Sequence, residues 1–433
     1  MTPQSHFMVV APIDPGKEAD LRATLETMNV RPGVVDPLNE ILPFARLPSL
    51  HFARFVILDH HTAEDIKTYG LEPYDWPKAL AFLADCDGAA DDFLADLVAL
   101  AETGLRRIFS HCHGFEPGAK LLPWLKDRSK SPAANYINWL GRTGLQIREE
   151  CALRDTLVTF VERHGARLSA LDSRQVFYRL QEVARAEIAA RRLTLTAPAP
   201  TPLGWRMRNF FHLVGVPLIL LLAAPVLLIY LPVFAYQLRR REKSDVEITP
   251  RPAIDHLRQL AALEDHEVTN QFSALGAVKP GLFRRWTVSF FIWVLNYATR
   301  HIFNHGYLTR VKTIHFARWV FLDNKRLLFF ASNYDGSLES YMDDFINKVA
   351  WGLNLVFSNG VGYPSARWLI LDGAKDEQQF KNYIRRHQLP TEVWYNSHPG
   401  LTAFDLERNT KIRQGIERTA MSDDEIRAWL RLL

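Results

Sequence analysis

Cysteine is scarce in this chain. Cys86, Cys112 and Cys151 are the only three in 433 residues, and no two form a CxxC pair. An odd, widely spaced set excludes a disulfide framework and a zinc ribbon, and fits a reducing compartment. Charge of one sign is scarce as well. Lys and Arg number 52 against 48 Asp and Glu, a net charge of +4. Without a long basic tract, that balance does not describe a nucleic-acid-binding surface. No phosphate-cradling glycine loop, GxSxG or HExxH occurs, so the common nucleotide, serine-hydrolase and zinc-protease signatures are missing. Residues 1–20 turn acidic early and do not read as a signal peptide.

One apolar run stands out. Residues 213–236 carry no charge and consist mainly of Leu, Val, Ile, Ala and Pro. Their length exceeds the roughly 20 residues needed to span a bilayer. Leu213 opens the run, and Pro217, Pro225 and Pro232 each remove a helical hydrogen bond within it. Both flanks are basic, with Arg206 and Arg208 before and Arg239, Arg240 and Arg241 after. The positive-inside rule places both ends on the cytoplasmic side, so the expectation is a helical hairpin that re-enters one leaflet. A second stretch, 284–303, is rich in aromatics and bounded by arginine. Trp286 and Trp293 suit it to the membrane interface, while a core helix is the competing reading.

The strongest signal is an internal repeat. Residues 51–59 (HFARFVILD) recur as 315–323 (HFARWVFLD), seven of nine identical. Upstream, 7–16 parallels 272–281. Downstream, Asp87-Gly88 parallels Asp335-Gly336, Phe109-Ser110 parallels Phe357-Ser358, and Tyr136 and Gly141 parallel Tyr395 and Gly400. Each copy reads as β-α-β-β-α-β, with a strand through Phe109 or Phe357, followed by a further strand and helix. The predicted organisation is a first ferredoxin-like repeat at 1–162, a helical linker at 163–204 and a membrane-attaching segment at 205–243. A linker helix at 244–265, a second repeat at 266–420 and a C-terminal helix at 421–433 complete it. The His-Phe-Ala-Arg strands are apolar on both faces, which calls for cover on both sides. Helices can supply one cover and the sheet of the other repeat the second. The fold class is therefore α+β, a pseudo-dimeric α+β barrel within one chain.

Few polar residues interrupt these strands. His51 and His315 read as packed strand histidines or as site residues. Arg54 and Arg318 keep their charge and require a partner or a polar cavity. Strict alternation puts His and Arg three positions apart on opposite faces, so they share a site only across a bulge. Asp87 and Asp335 precede glycine and read as turn residues, or, in the sharper reading, Asp335 pairs with Arg318. His398 corresponds to Trp139 of the first copy and is a candidate metal or haem ligand. His111 and His113 flank Cys112 without an acidic partner and read as a strand edge.

The duplicated plan, with Asn333-Tyr334-Asp335-Gly336 after a central strand, resembles the dimeric α+β barrel superfamily, which includes dye-decolourising peroxidases and chlorite-dismutase-like haem proteins. Peroxidases of that type carry a GxxDG motif whose Asp acts near the haem with an Arg. Asp335 and Gly336 match its last two positions, and Ser332 (Ala84 in the first copy) replaces its first Gly. The phrases around His315 and Asn333 also resemble an uncharacterised group of bacterial membrane-associated proteins. The resemblance implies an oxidoreductase, with Asp335, Arg318, His315 and Asn333 as catalytic residues, Asp87, Arg54 and His51 as their first-repeat equivalents, and haem held by His398. Joined to the membrane segment, it suggests a peroxidase-like enzyme at the cytoplasmic face acting on a lipophilic substrate. The alternative is a non-enzymatic lipid-binding or scaffolding protein that recruits a redox partner.

Overall fold

A computed structural model describes all 433 residues. The first half runs β1 (Gln4–Pro12), α1 (Glu18–Glu26), a small ribbon β2 (Asn29–Arg31) and β3 (Val34–Val35), β4 (Leu50–Leu58) and β5 (Ala79–Asp87). It continues with α2 (Ala90–Phe109), α3 (Leu121–Asp127), β6 (Ala134–Ile137), α4 (Gly144–Leu168) and α5 (Ser173–Ala189). After α6 (Leu203–Glu242) and α7 (Ile254–Ala261) come β7 (Thr269–Ala277), α8 (Leu282–His301), β8 (Ile314–Leu322), β9 (Leu327–Asp335) and α9 (Leu338–Phe357). A ribbon of β10 (Ala366–Arg367) and β11 (Leu371–Asp372) leads to α10 (Glu377–His387), β12 (Thr391–Asn396), α11 (Ala403–Glu417) and α12 (Asp423–Leu430).

The molecule is mixed α+β, with two four-stranded antiparallel sheets ordered β1-β5-β4-β12 and β7-β9-β8-β6. The short fourth strand of each sheet comes from the other half of the chain. β12 pairs with β4 and β6 pairs with β8. Neither half closes its own sheet, so the two halves are interlocked by backbone hydrogen bonds.

The outer face of the first sheet packs on α1, α2 and α3 through Phe7, Val9, Phe55 and Phe82. The outer face of the second packs on α8, α9 and α10 through Phe272, Trp319 and Phe330. The inner faces meet across Met8, Val10, Val56, Leu83, Val320, Leu327 and Phe329. Apolar side chains on both strand faces are therefore explained, since each sheet has helices on one side and the other sheet on the other. Local features recur at equivalent positions. Gly88 and Gly336 turn with φ of 81° and 84°, a conformation that favours glycine. The 20-residue helices that follow these turns each break once, α2 at Ala101 and α9 at Val349. Capping boxes open α4 at Thr143 and α11 at Thr402.

Three expectations require correction. Phe109 and Phe357 are not in strands but end helices α2 and α9. Buried Phe93, Leu94, Leu97, Ala101, Leu105 and Ile108 follow a helical period, which a dense apolar run disguises in sequence. His111 and His113 accordingly lie in the turn after α2, with His113 exposed beside Asp14. The apolar segment forms no hairpin. α6 is one continuous 40-residue helix with Pro217, Pro225 and Pro232 inside it. A reverse turn would strand several backbone groups, whereas each proline forfeits one helical hydrogen bond. Residues 163–204, the expected helical linker, hold α5. α5 joins α4, α11 and α12 in a helical layer with its own core of Leu153, Leu157, Phe177, Leu180, Ile412 and Trp429.

Candidate functional site

The polar residues of the central strands fall into two adjoining constellations. Both depend on a bulge. Leu50 faces Cys86 and Phe52 faces Asp85, leaving His51 as the extra residue. Ile314 faces Tyr334 and Phe316 faces Asn333, leaving His315 in the same position. The bulge breaks the alternation that would otherwise send His and Arg to opposite faces.

At the sheet ends, His51 Nε2 meets Asp87 Oδ1 at 2.9 Å and His315 Nε2 meets Asp335 Oδ1 at 2.6 Å. The second oxygen of each aspartate accepts from the first residue of a helix further along the chain, Asp87 from Gly144 N of α4 at 2.9 Å and Asp335 from Ala403 N of α11 at 2.7 Å. Each carboxylate thus ties a bulge histidine to a helix N-terminus, where its charge is favoured. His398 lies between the pairs, with ring centroids 6.2 Å from His51 and 5.9 Å from His315. Burial, and then the two neighbouring histidines, push its pKa well below the usual value, so it is neutral. Its Nδ1 contacts Ser397 Oγ at 3.0 Å, and its Nε2 has no partner.

Between the sheets lies the second constellation. Arg318 donates to Asp85 and, at 2.7 and 3.2 Å, to the carbonyls of Phe7 and Ala84 in the opposite sheet. Arg54 crosses the other way to Asn333 and to the carbonyls of Phe272 and Ser332. Asn333 Nδ2 donates to Asp85 Oδ2 at 3.0 Å, and His6 Nδ1 lies 2.5 Å from Asp85 Oδ1. Burial alone would raise the Asp85 pKa, but Arg318 and the His6 hydrogen bond outweigh it and hold the group ionised. Arg54 has no carboxylate of its own. Burial, and then Arg318, lower its pKa to about 9.

The expected Asp335–Arg318 pair is therefore absent. Asp335 sits at the strand end with His315, while Arg318, past the bulge, reaches across to Asp85. Asn333 and both arginines meet in the inter-sheet cluster, whereas His51, His315, Asp87, Asp335 and His398 meet at the sheet ends. His6 and Asp85 escaped the sequence reading, although they are cross-strand partners in β1 and β5. The available signal was a polar residue interrupting each of two apolar strands, with Asp85 two positions before Asp87-Gly88.

The residues at His398 do not fit a haem. The cavity lined by His51, His315, Phe316, His398, Trp139 and Arg142 has a volume of about 30 Å³, room for one or two waters rather than a macrocycle. Phe52, stacked on Trp394 at 5.4 Å, closes one side of His398. No three His, Cys, Asp or Glu side chains are placed to hold a metal ion.

Buried neutral histidines make acid pH a probe of this packing. Burial lowers the pKa of His6 and His398, and takes His60 and His387 to about 4. The unfolded chain, with histidine near 6.5, binds more protons than the folded chain below that pH. Stability is thus complete above about pH 6.5 and falls as pH drops toward 4. Urea denaturation at pH 7.5 and 5.0 should show a lower midpoint at 5.0, and His387→Gln should reduce the difference.

No protein-family model matches the chain, and no curated protein or solved structure is significantly similar to it.

Proposed function

We propose that this chain is a monotopic membrane protein that binds a lipid or other lipophilic molecule in the groove between α6 and α8. That groove is the observation carrying the reading. It has a volume of about 750 Å³ and is walled by Leu227, Tyr230, Leu231, Phe234, Phe283 and Trp286, with Arg241 and Gln237 as polar members. An apolar trough with a cation in its wall suits an acyl chain with an anionic headgroup.

The attachment of α6 supports a position on one face of the bilayer. Near its start, Asn209 accepts from Arg300 Nε at 2.8 Å and the carbonyl of Leu213 accepts from Tyr297 at 3.2 Å. Near its end, Phe234 packs on Phe283 at 5.3 Å and Glu242 accepts from the backbone of Trp368 and Leu369. α8 in turn buries Arg284, Val288 and Ile292 against the body. A helix held alongside a folded body at both ends cannot cross a bilayer without drawing that body into lipid. Its most apolar 18-residue stretch nevertheless has no buried residue. Trp286 and Leu282 of α8 are exposed beside it, and Trp293 is half-buried. A helix lying in the interface, with its bare side in one leaflet and basic ends among headgroups, meets all these conditions.

The same reading takes the two halves as diverged ferredoxin-like copies forming a pseudo-dimeric α+β barrel. The matched sheet orders, bulges and helix breaks support it. The oxidoreductase reading placed Asp335 with Arg318 and a haem on His398; Asp335 instead meets His315, Arg318 meets Asp85, and the cavity at His398 has about 30 Å³, so the lipid groove is the better-supported site.

Vesicle flotation tests the proposal. Leu222 and Ile229 are 71% and 80% exposed, so Leu222→Asp and Ile229→Asp leave the fold intact. Each is expected to weaken binding to phosphatidylglycerol-containing vesicles roughly tenfold or more, because charge in the apolar zone costs several kcal/mol. Trp286→Ala should reduce co-purified lipid. Unchanged flotation of the double aspartate variant would sink the proposal.

A further inference from the structure

A polar cavity of about 280 Å³ opens where the start of α6 meets the end of α8, and His6, Asn135, Trp205, Arg300 and Asn304 line it. It is separate from both the lipid groove and the histidine cluster, and three of its groups have bonding capacity to spare. His6 is one. Its Nδ1 is committed to Asp85, which Arg318 and Asn333 hold ionised and oriented. An ionised carboxylate requires the proton on Nδ1, leaving Nε2 as an acceptor. That Nε2 is buried and has no partner, an arrangement that costs free energy unless something donates to it. Arg300 is the second group. It uses Nε on Asn209 at 2.8 Å, while its terminal nitrogens make no hydrogen bond and no ion pair. The third, the Asn135 amide on β6, has no hydrogen bond either, although its strand is fixed to β8.

An acceptor that wants a hydroxyl therefore shares one cavity with an unpaired guanidinium and a free amide donor. We propose that this cavity is a binding site for a small phosphate ester carrying a nearby hydroxyl, such as glycerol phosphate. Arg300 and Asn135 hold the phosphate, and His6 Nε2 accepts the hydroxyl. Guanidinium is the side chain best matched to phosphate oxygens. Trp205 places the site beside the membrane helix, so the ester arrives either free or as the headgroup of a phosphatidylglycerol-type lipid. The site goes beyond the lipid groove; Arg300 also anchors α6 through Asn209, so Asn135→Ala, on a strand that makes no α6 anchor, is the variant that separates the two.

Titration calorimetry on the full detergent-solubilised chain decides it, with sn-glycerol 3-phosphate, dihexanoyl-phosphatidylglycerol and inorganic phosphate as probes. One glycerol phosphate or one short-chain lipid per chain is expected. Binding of the lipid alone marks the headgroup as the source, and binding of the free ester marks a soluble ligand. Arg300→Gln, at a half-buried position that leaves the Asp85 cluster intact, should weaken binding roughly tenfold, the worth of a charge-assisted hydrogen bond. Asn135→Ala provides an independent second loss. Inorganic phosphate should bind more weakly than either ester, since it lacks the carbon-borne hydroxyl placed for His6. Failure of both esters to bind, affinity untouched by Arg300→Gln and Asn135→Ala, or phosphate binding as tightly as the esters would overturn the assignment.

Discussion

Cysteines placed at Gly204 and Ser244, one at each end of α6, will both react with a membrane-impermeant maleimide from the same side of the bilayer. Both positions are exposed. The background is clean once Cys151→Ser is introduced, because Cys86 and Cys112 are buried. The expectation rests on two anchors: Arg300, Tyr297 and His301 hold the start of α6, while Phe283 and the Trp368–Leu369 backbone hold its end. The effect is all or none. If only one of the two cysteines is labelled in sealed vesicles, α6 crosses the membrane. It must then have left α8, and the monotopic reading falls. The basic residues at the two ends, Arg206 and Arg208 against Arg239, Arg240 and Arg241, favour same-side placement as well.

The second large effect lies between the sheets. Arg318→Met should destabilise the protein by about 3–5 kcal/mol, because it leaves the buried Asp85 carboxylate without its cation. Arg54→Met should cost less, about 1–3 kcal/mol, since the groups it abandons are carbonyls, Ser273 and Asn333 rather than a charge. Combining Arg318→Met with Asp85→Asn should restore part of the loss, as removal of both charges relieves the unpaired one. Urea denaturation of the four proteins at pH 7.5 gives the comparison. Equal costs for the two arginines would show that the Asp85/Asn333 difference has no energetic meaning. The two arginines occupy the same position of the recurring HFAR phrase, so the experiment measures how far the two inter-sheet contacts differ in energy.

That difference between the two arginines is legible in the sequence only after the fact. Repetition of HFAR at 51 and 315 marked two similar strands, and their apolar faces showed that each sheet needs two covers. The bulges at His51 and His315 were a condition that the alternation of side chains could pose but not answer. Strand alternation is a local rule, and whether a residue is inserted depends on the neighbouring strand's register. The Asp335–Arg318 pair was inferred from neighbouring strands in one hairpin. It failed because a buried guanidinium takes the partner on the facing sheet, and sequence does not say which sheet faces which.

What the sequence determined by itself was composition and period: an uncharged 24-residue segment with basic flanks, a nine-residue strand phrase that recurs at 51 and 315, and a few polar residues set into apolar strands. These follow from transfer free energies and side-chain spacing, which belong to each residue. Only the tertiary structure decided that β6 and β12 exchange sheets, that α6 is one helix held at both ends, that Asp85 serves His6 and Arg318 together, and that His398 has no room for a macrocycle. Each of those depends on surfaces brought together from positions up to hundreds of residues apart, and on the volume left between them once both sides are packed.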